Sequence, residues 1–183
     1  MEDRRTRKTK KAIESSFLTL LGQKSLGRIT VAEICRMADI GRGTFYLHYM
    51  DVYDLYEKIE NEASSGLFKL FEDAFPSTDR DNSRRLAYEL TAYIEDKREL
   101  FLLLVRDDNR SSLRRITRKL NEKVIGENRL LHPDGDARYD AMEAVFVVSG
   151  MTGVLEEWLK SGMSAPREEV AAALDKMLCK INI

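Results

Sequence analysis

Apolar residues recur at three- and four-residue spacing through most of the chain, the period of helices with one buried face. Ile13, Phe17, Leu20 and Leu21 mark a first helix from about Thr6 to Gly22, and a loop follows around Gly27. Thr30-Val31-Ala32-Glu33 has the form of a capping box, in which the Thr30 hydroxyl accepts from the Glu33 amide and the Glu33 carboxylate reaches back to the Thr30 amide. The short helix this box starts is expected to end near Ala38. Asp39-Ile40-Gly41 makes a tight turn, and a second short helix runs from Arg42 to Leu47. Asp51 can cap a long helix whose apolar positions include Leu55, Ile59, Ala63, Leu67, Leu70 and Phe71. Pro76–Asn82 reads as a linker. Beyond it, Leu86, Leu90, Tyr93 and Ile94 share a face, Leu100–Val105 is a short apolar run, and Leu113, Ile116, Leu120 and Val124 repeat at helical spacing. His132–Gly135 reads as a loop. The most apolar segment runs from Ala137 to Leu159, after which Ser164 as cap and Pro166 in the first turn open a final helix toward Lys180. No window shows a convincing two-residue alternation, so the expected fold class is all-α.

Charge changes this picture more than composition does. Residues 1–50 hold ten Lys/Arg against five Asp/Glu, whereas the remainder holds twenty against twenty-six. A basic end on an acidic body points to a polyanionic partner for the first segment only, nucleic acid or an anionic membrane surface. The apolar stretch after the basic run is interrupted by Glu14, Ser15, Ser16 and Thr19, which favours an amphipathic helix over a signal peptide. No stretch approaches the roughly 20 apolar residues needed to span a bilayer, so no membrane role is expected. Two cysteines, Cys35 and Cys179, make neither a disulfide framework nor a metal site, and a reducing cytoplasm is the natural setting. His48 lacks a nearby Cys or second His at ligand spacing, and His132, beside Pro133 and Asp134, reads as a loop residue. No nucleophile with a paired base and no phosphate-cradling glycine loop occurs, so neither an enzyme, a cofactor nor a metal is expected.

The stretch 30–49, TVAEICRMADIGRGTFYLHY, is the most informative. Two short helices joined by a three-residue turn pack closely only if their crossing is lined by small residues. Cys35 and Ala38 supply these, while Ile34, Ile40 and Phe45 fill the shared core. This is a helix-turn-helix pattern. Its second helix must be short of bulk at the N-terminal end to enter a major groove, and Gly41, Arg42, Gly43 and Thr44 meet that need.

These residues resemble the N-terminal motif of the TetR family of regulators. The resemblance rests on Thr30, Val31 and Ile34, on Gly43-Thr44-Phe45-Tyr46, on His48-Tyr49 and on Leu55, and it spans about Lys8 to Ile59. It implies a homodimer that places two recognition helices in successive major grooves of a double-stranded DNA operator, and a small-molecule effector that releases the DNA. Arg42 and Thr44 would contact bases or phosphates. Tyr46, His48 and Thr30 would bind phosphate, Gly43 would allow close backbone approach, and the basic arm (Arg4, Arg5, Arg7, Lys8, Lys10, Lys11) would reach phosphates or the minor groove. The chain departs from the family pattern at three places. Val52 stands where a phosphate-binding lysine is frequent, Asp39 replaces the turn glycine, and Gly41 replaces the serine cap of the recognition helix, at a cost of a few tenths of a kcal/mol.

The implied organisation is a DNA-binding domain over residues 1–50, with a three-helix head, and a helical effector-binding and dimerisation domain over 51–183. In the second domain Tyr88, Tyr93, Phe101, Met142, Phe146 and Met151 form an aromatic and methionine-rich set that suits either a ligand cavity or ordinary core. Gly150 and Gly153 lie inside an apolar helix, where each costs about 1 kcal/mol relative to alanine. Close helix–helix approach across a dimer explains them better than a pocket does. Gly150, Gly153, Val154 and Trp158 are the expected dimer residues. The function expected is transcriptional repression, with a coregulator acting through protein–protein contact as the alternative.

Overall fold

A computed structural model of the protein describes residues 3–74, 80–105, 110–131 and 137–181. Every regular element among them is helical: α1 (Arg4–Gln23), a 3₁₀ turn (Leu26–Arg28), α2 (Val31–Met37), α3 (Arg42–Tyr46), α4 (Val52–Ala74), α5 (Arg80–Asp96), α6 (Arg98–Leu104), α7 (Arg110–Leu131), α8 (Ala137–Lys160) and α9 (Arg167–Ile181). The expected loop at His132–Gly135 and positions 76–79 of the linker lie outside the described residues. No helix among the described residues is long and apolar enough to cross a membrane. The chain divides into two compact units, Met1–Ala63 and Ser64–Ile183, with the division inside α4.

In the first unit, α1 packs on α2 and α2 on α3. The apolar stripe of α1 (Ile13, Phe17, Leu20, Leu21) is buried with Ile29, Ile34, Cys35, Phe45 and Leu55, so the periodicity found the core face. Helix α1 begins at Arg4 rather than near Thr6, because the Asp3 carboxylate caps it by accepting from the Arg5 amide. Val52, read as a missing phosphate anchor, is buried as a core residue.

In the second unit, α5 packs along α9 and α7 along α8. The inward face of α8 is Ala144, Val148, Met151, Leu155 and Trp158, alternating steps of four and three, with Leu159 beside it. Gly66 of α4 is the close-approach glycine here, since the Tyr93 ring fills the space a Cβ would take. Helix α8 ends in a turn where Gly162 (φ 73°) and Met163 (φ 60°) are both left-handed, and the Met163 amide donates to the Trp158 carbonyl at 2.9 Å. Two further bonds fasten this turn, from Trp158 Nε1 to the Ala165 carbonyl (2.9 Å) and from the Arg98 guanidinium to the Gly162 carbonyl (2.8 Å). Ser164 does not cap α9. Its hydroxyl donates to the Ser161 hydroxyl, and the helix starts at Arg167 with the Pro166 carbonyl accepting from Glu169 and Val170.

Candidate nucleic-acid interface

The site is built on the capping box of α2. The Glu33 amide donates to Thr30 Oγ1 (3.3 Å), and the Thr30 amide donates to Glu33 Oε2 (3.0 Å). The Thr30 hydroxyl donates to the same carboxylate at 2.8 Å, and Lys24 Nζ meets its other oxygen at 2.6 Å. These partners, Lys24 foremost, hold the Glu33 carboxyl at about 2, well below its ordinary 4.5. Thr30, expected to bind phosphate through its hydroxyl, thus has that proton already engaged.

The turn after α2 closes as the sequence implied. Asp39 takes the left-handed conformation (φ 53°), and the Ile40 amide donates to the Cys35 carbonyl at 3.0 Å. Gly41 is the N-cap of α3 and offers no side-chain bond, leaving the Thr44 and Phe45 amides to its carbonyl.

Helix α3 is held from within by Phe45 and Tyr49, both buried, whose rings lie 5.6 Å apart. The Tyr49 hydroxyl donates to Glu14 Oε1 of α1 at 3.0 Å, and burial, followed by the Glu14 charge, pushes its pKa up. Behind it, Lys58 Nζ donates to the His48 carbonyl (3.1 Å) and to Asp54 Oδ2 (2.9 Å), and lies 5.3 Å from the Tyr49 ring centroid. The Met50 amide donates to Asp54 Oδ2 and the Asp54 amide to Asp51 Oδ1, each at 2.8 Å, so Asp51 caps α4 as expected. The Met50 amide, with Lys58, holds the Asp54 carboxyl below its ordinary value. The C-terminal end of the helix that must enter a groove is therefore held by α1 and α4.

The structure brings Arg42, Gly43, Thr44, Tyr46 and His48 together on and beside α3, with Arg42, Gly43 and Tyr46 exposed and Thr44 and His48 half-buried. Arg4, Arg5, Arg7 and Lys8 are exposed too, but they are helical residues of α1 rather than an extended arm. Sequence reasoning passed over Leu47, 80% exposed, and Met50, 78% exposed. The signal that would have found Leu47 was available, since it lies half a helical turn from the inward Phe45 and Tyr49.

In the second unit the six residues of the aromatic and methionine-rich set divide: Tyr93 and Phe101 meet each other, Met151 is buried, and Met142 and Phe146 line an open groove of about 830 Å³ with Ile125, Arg138, Ala141 and Val145. Phe101 is buried, meets Tyr93 edge-on at 6.0 Å, and lines an apolar cavity of about 30 Å³ with Leu67, Phe71, Leu90, Ile94 and Ile116. Tyr88 sits under the Arg84 guanidinium, 5.8 Å from its ring centroid. Met142 and Phe146 are 63% and 66% exposed on the outward face of α8, where Gly150 and Gly153 also lie. Of the expected dimer residues, Gly150 and Gly153 are exposed, Val154 is half-buried, and Trp158 is buried inside its own chain. Trp158 thus lies inside, and Met142 and Phe146 lie at the surface.

Residues 81–180 match the TetR-type family model described as the transcriptional regulator C-terminal region. The chain belongs to the TetR family of transcriptional regulators. That family consists of regulators, not enzymes. An uncharacterized HTH-type transcriptional regulator of Bacillus subtilis, YxbF, is 26% identical over 96 residues, which is 51% of this chain and 25% of the relative. The matched stretch thus spans a quarter of that protein's length. Among solved structures, NalD of Pseudomonas aeruginosa, the secondary repressor of the MexAB-OprM multidrug efflux pump, superposes with a TM-score of 0.68 at 17% identity, covering 97% of this chain and 96% of its own. A TetR-like regulator from Rhodococcus sp. RHA1 gives 0.66 at 14% identity (98% and 97% covered). The regulator FadR from Bacillus subtilis, solved in complex with stearoyl-CoA, gives 0.63 at 13% identity (91% and 96% covered). At these identities the likeness is one of TetR-type fold.

Proposed function

We propose that this TetR-family chain is a repressor that acts as a homodimer on a palindromic double-stranded operator, and that a small apolar molecule bound in the second unit releases it. The observation that carries the reading is the state of α3: pinned by Phe45, Tyr49 and Lys58 on one side and bare on the other, beside exposed Arg42 and Tyr46. A rigid helix with an open N-terminal face is what major-groove entry requires. The exposed cations of α1 supply phosphate neutralisation. With six such contacts affinity falls about a thousandfold between 50 and 200 mM salt.

The outward stripe of α8 supports the dimer. Tyr139, Met142 and Phe146 are exposed there, and among the described residues nothing lies within 4 Å of a Cβ built on Gly150 or Gly153. Among the described residues nothing inside the protomer repays the helix-propensity cost of those glycines, whereas a second copy laid closely across α8 does. For the effector, the cavity beside Phe101 is apolar but far smaller than the roughly 300–1,000 Å³ of a ligand site. An effector that enters this cavity has to spread the helices that line it. That coupling gives a ligand unequal affinities for two conformations, the condition for release.

The test is fluorescence anisotropy with DNA from upstream of the chain's own gene and with duplexes selected from a random pool, at several salt concentrations. Tight, salt-sensitive binding, weakened at least tenfold by Arg42→Ala and by Tyr46→Ala, is expected. Binding no tighter than to unrelated DNA contradicts the reading.

A further inference from the structure

Helix α3 and the turn that continues it face inward through Phe45 and Tyr49, four residues apart, with the Tyr49 amide donating to the Phe45 carbonyl. At about 100° per residue the positions opposite them are Gly43 and Leu47, again one turn apart. The surroundings agree. Leu47 is the most exposed of the large apolar residues in the described chain, and nothing lies within 4 Å of a Cβ built on Gly43. The centre of the outward face therefore carries no hydrogen-bonding side chain. Arg42, Thr44, Tyr46 and His48 flank it. A single exposed leucine is ordinary on a protein surface. This one stands in the middle of the surface whose work is recognition, with exposed Met50 just beyond the helix end.

We infer that Leu47 is a specificity-determining residue that selects thymine, its isobutyl group packing on the C5 methyl of one thymine in each operator half-site. The inference rests on the DNA-binding reading above. In the major groove only thymine presents a methyl group, whereas the other bases present donors and acceptors. Leucine attracts the first and rejects the rest, because covering a guanine O6/N7 or adenine N7 edge with a hydrocarbon leaves those atoms without partners. Gly43, one turn earlier on the same line, lets the backbone come close enough for a side chain as short as leucine to reach the groove floor. The flanking Arg42 and Tyr46 are then left to hold phosphates, which set register without reading sequence.

Deoxyuridine supplies the test, since it keeps every hydrogen-bonding edge of thymidine and lacks only the methyl. Duplexes selected by the wild-type chain from a random pool are resynthesised with each thymine replaced in turn, and affinities are measured for wild type and Leu47→Ala. Wild type is expected to lose about fourfold at one thymine in each half-site, the loss for one buried methyl group. Leu47→Ala binds the unmodified duplex more weakly and shows no further loss at that thymine. Its salt dependence and circular dichroism are unchanged, since the replaced side chain is exposed. A wild type indifferent to every replacement overturns the inference, as does a penalty that persists undiminished in Leu47→Ala. Both leave the DNA-binding reading standing. Enrichment of no sequence, with no salt-sensitive binding, overturns that reading and this inference together.

Discussion

Glu33 accepts from an amide, a hydroxyl and an ammonium group at once, and this is why its carboxyl sits at about 2. Protonating it costs more in the folded chain than in the unfolded one. Its contribution to stability is therefore complete above the ordinary value of 4.5 and is lost as pH falls toward 2. Urea unfolding at pH 6 and pH 3 should show a larger loss for wild type than for Glu33→Gln, and equal losses would contradict the assignment. Tyr49 offers a second check, because Tyr49→Phe removes a hydroxyl bonded to Glu14. The expected cost is about 1–2 kcal/mol, read as a lower urea midpoint with an unchanged slope. The capping box was legible in the sequence because its partners are three residues apart. The bond between Tyr49 and Glu14 spans thirty-five residues and has no local signature. Leu47 escapes for a different reason: periodicity marks the buried face, and on the opposite face a groove-binding reading points to small and polar residues rather than to an exposed leucine.

Among the helices, α1 carries an unusual conflict. Its first turns hold Arg4, Arg5, Arg7, Lys8, Lys10 and Lys11 with no acidic residue in the first turn. Positive charge at a helix N-terminus opposes the helix dipole, by roughly 0.3–1 kcal/mol for each charge near the end. A polyanion relieves that conflict. Amide hydrogen exchange over residues 4–11 should slow when DNA is added, and exchange that stays the same would argue against a role for this segment in binding. Helix α4 supplies the opposite case, since at Gly66 the Tyr93 ring occupies the place of a Cβ. Gly66→Ala gains about 1 kcal/mol of helix propensity but displaces a packed ring at roughly 1–3 kcal/mol, so a net loss is expected. In a Tyr93→Ala background the same change should stabilise. Loss in both backgrounds would show that Tyr93 is not the obstacle. Helix existence was legible throughout, and the ends less so: α1 gained two residues from the Asp3 cap, and α9 started after Pro166 rather than at Ser164.

At the scale of the whole molecule the account turns on α8, which is apolar on two faces. A helix of that kind defeats periodicity, since the pattern cannot say which apolar face belongs to its own chain. Trp158 went to the interior, where its Nε1 donates to the Ala165 carbonyl ahead of α9, and Met142 and Phe146 went to the surface beside Gly150 and Gly153. The proposed dimer makes this distinction measurable. Phe146→Glu should leave the fold intact and shift sedimentation toward the monomer, while Trp158→Phe should lower thermal stability and leave association unchanged. The reverse pattern would return the interface to Trp158. Two recognition helices in one dimer also fix what the DNA must look like. Hydroxyl-radical footprinting on a selected duplex is the most direct measurement: the account predicts two protected patches related by two-fold symmetry, with centres about 34 Å, one helical turn, apart or a multiple of it. A single asymmetric patch, or no protection at concentrations where the chain is fully folded, would contradict it.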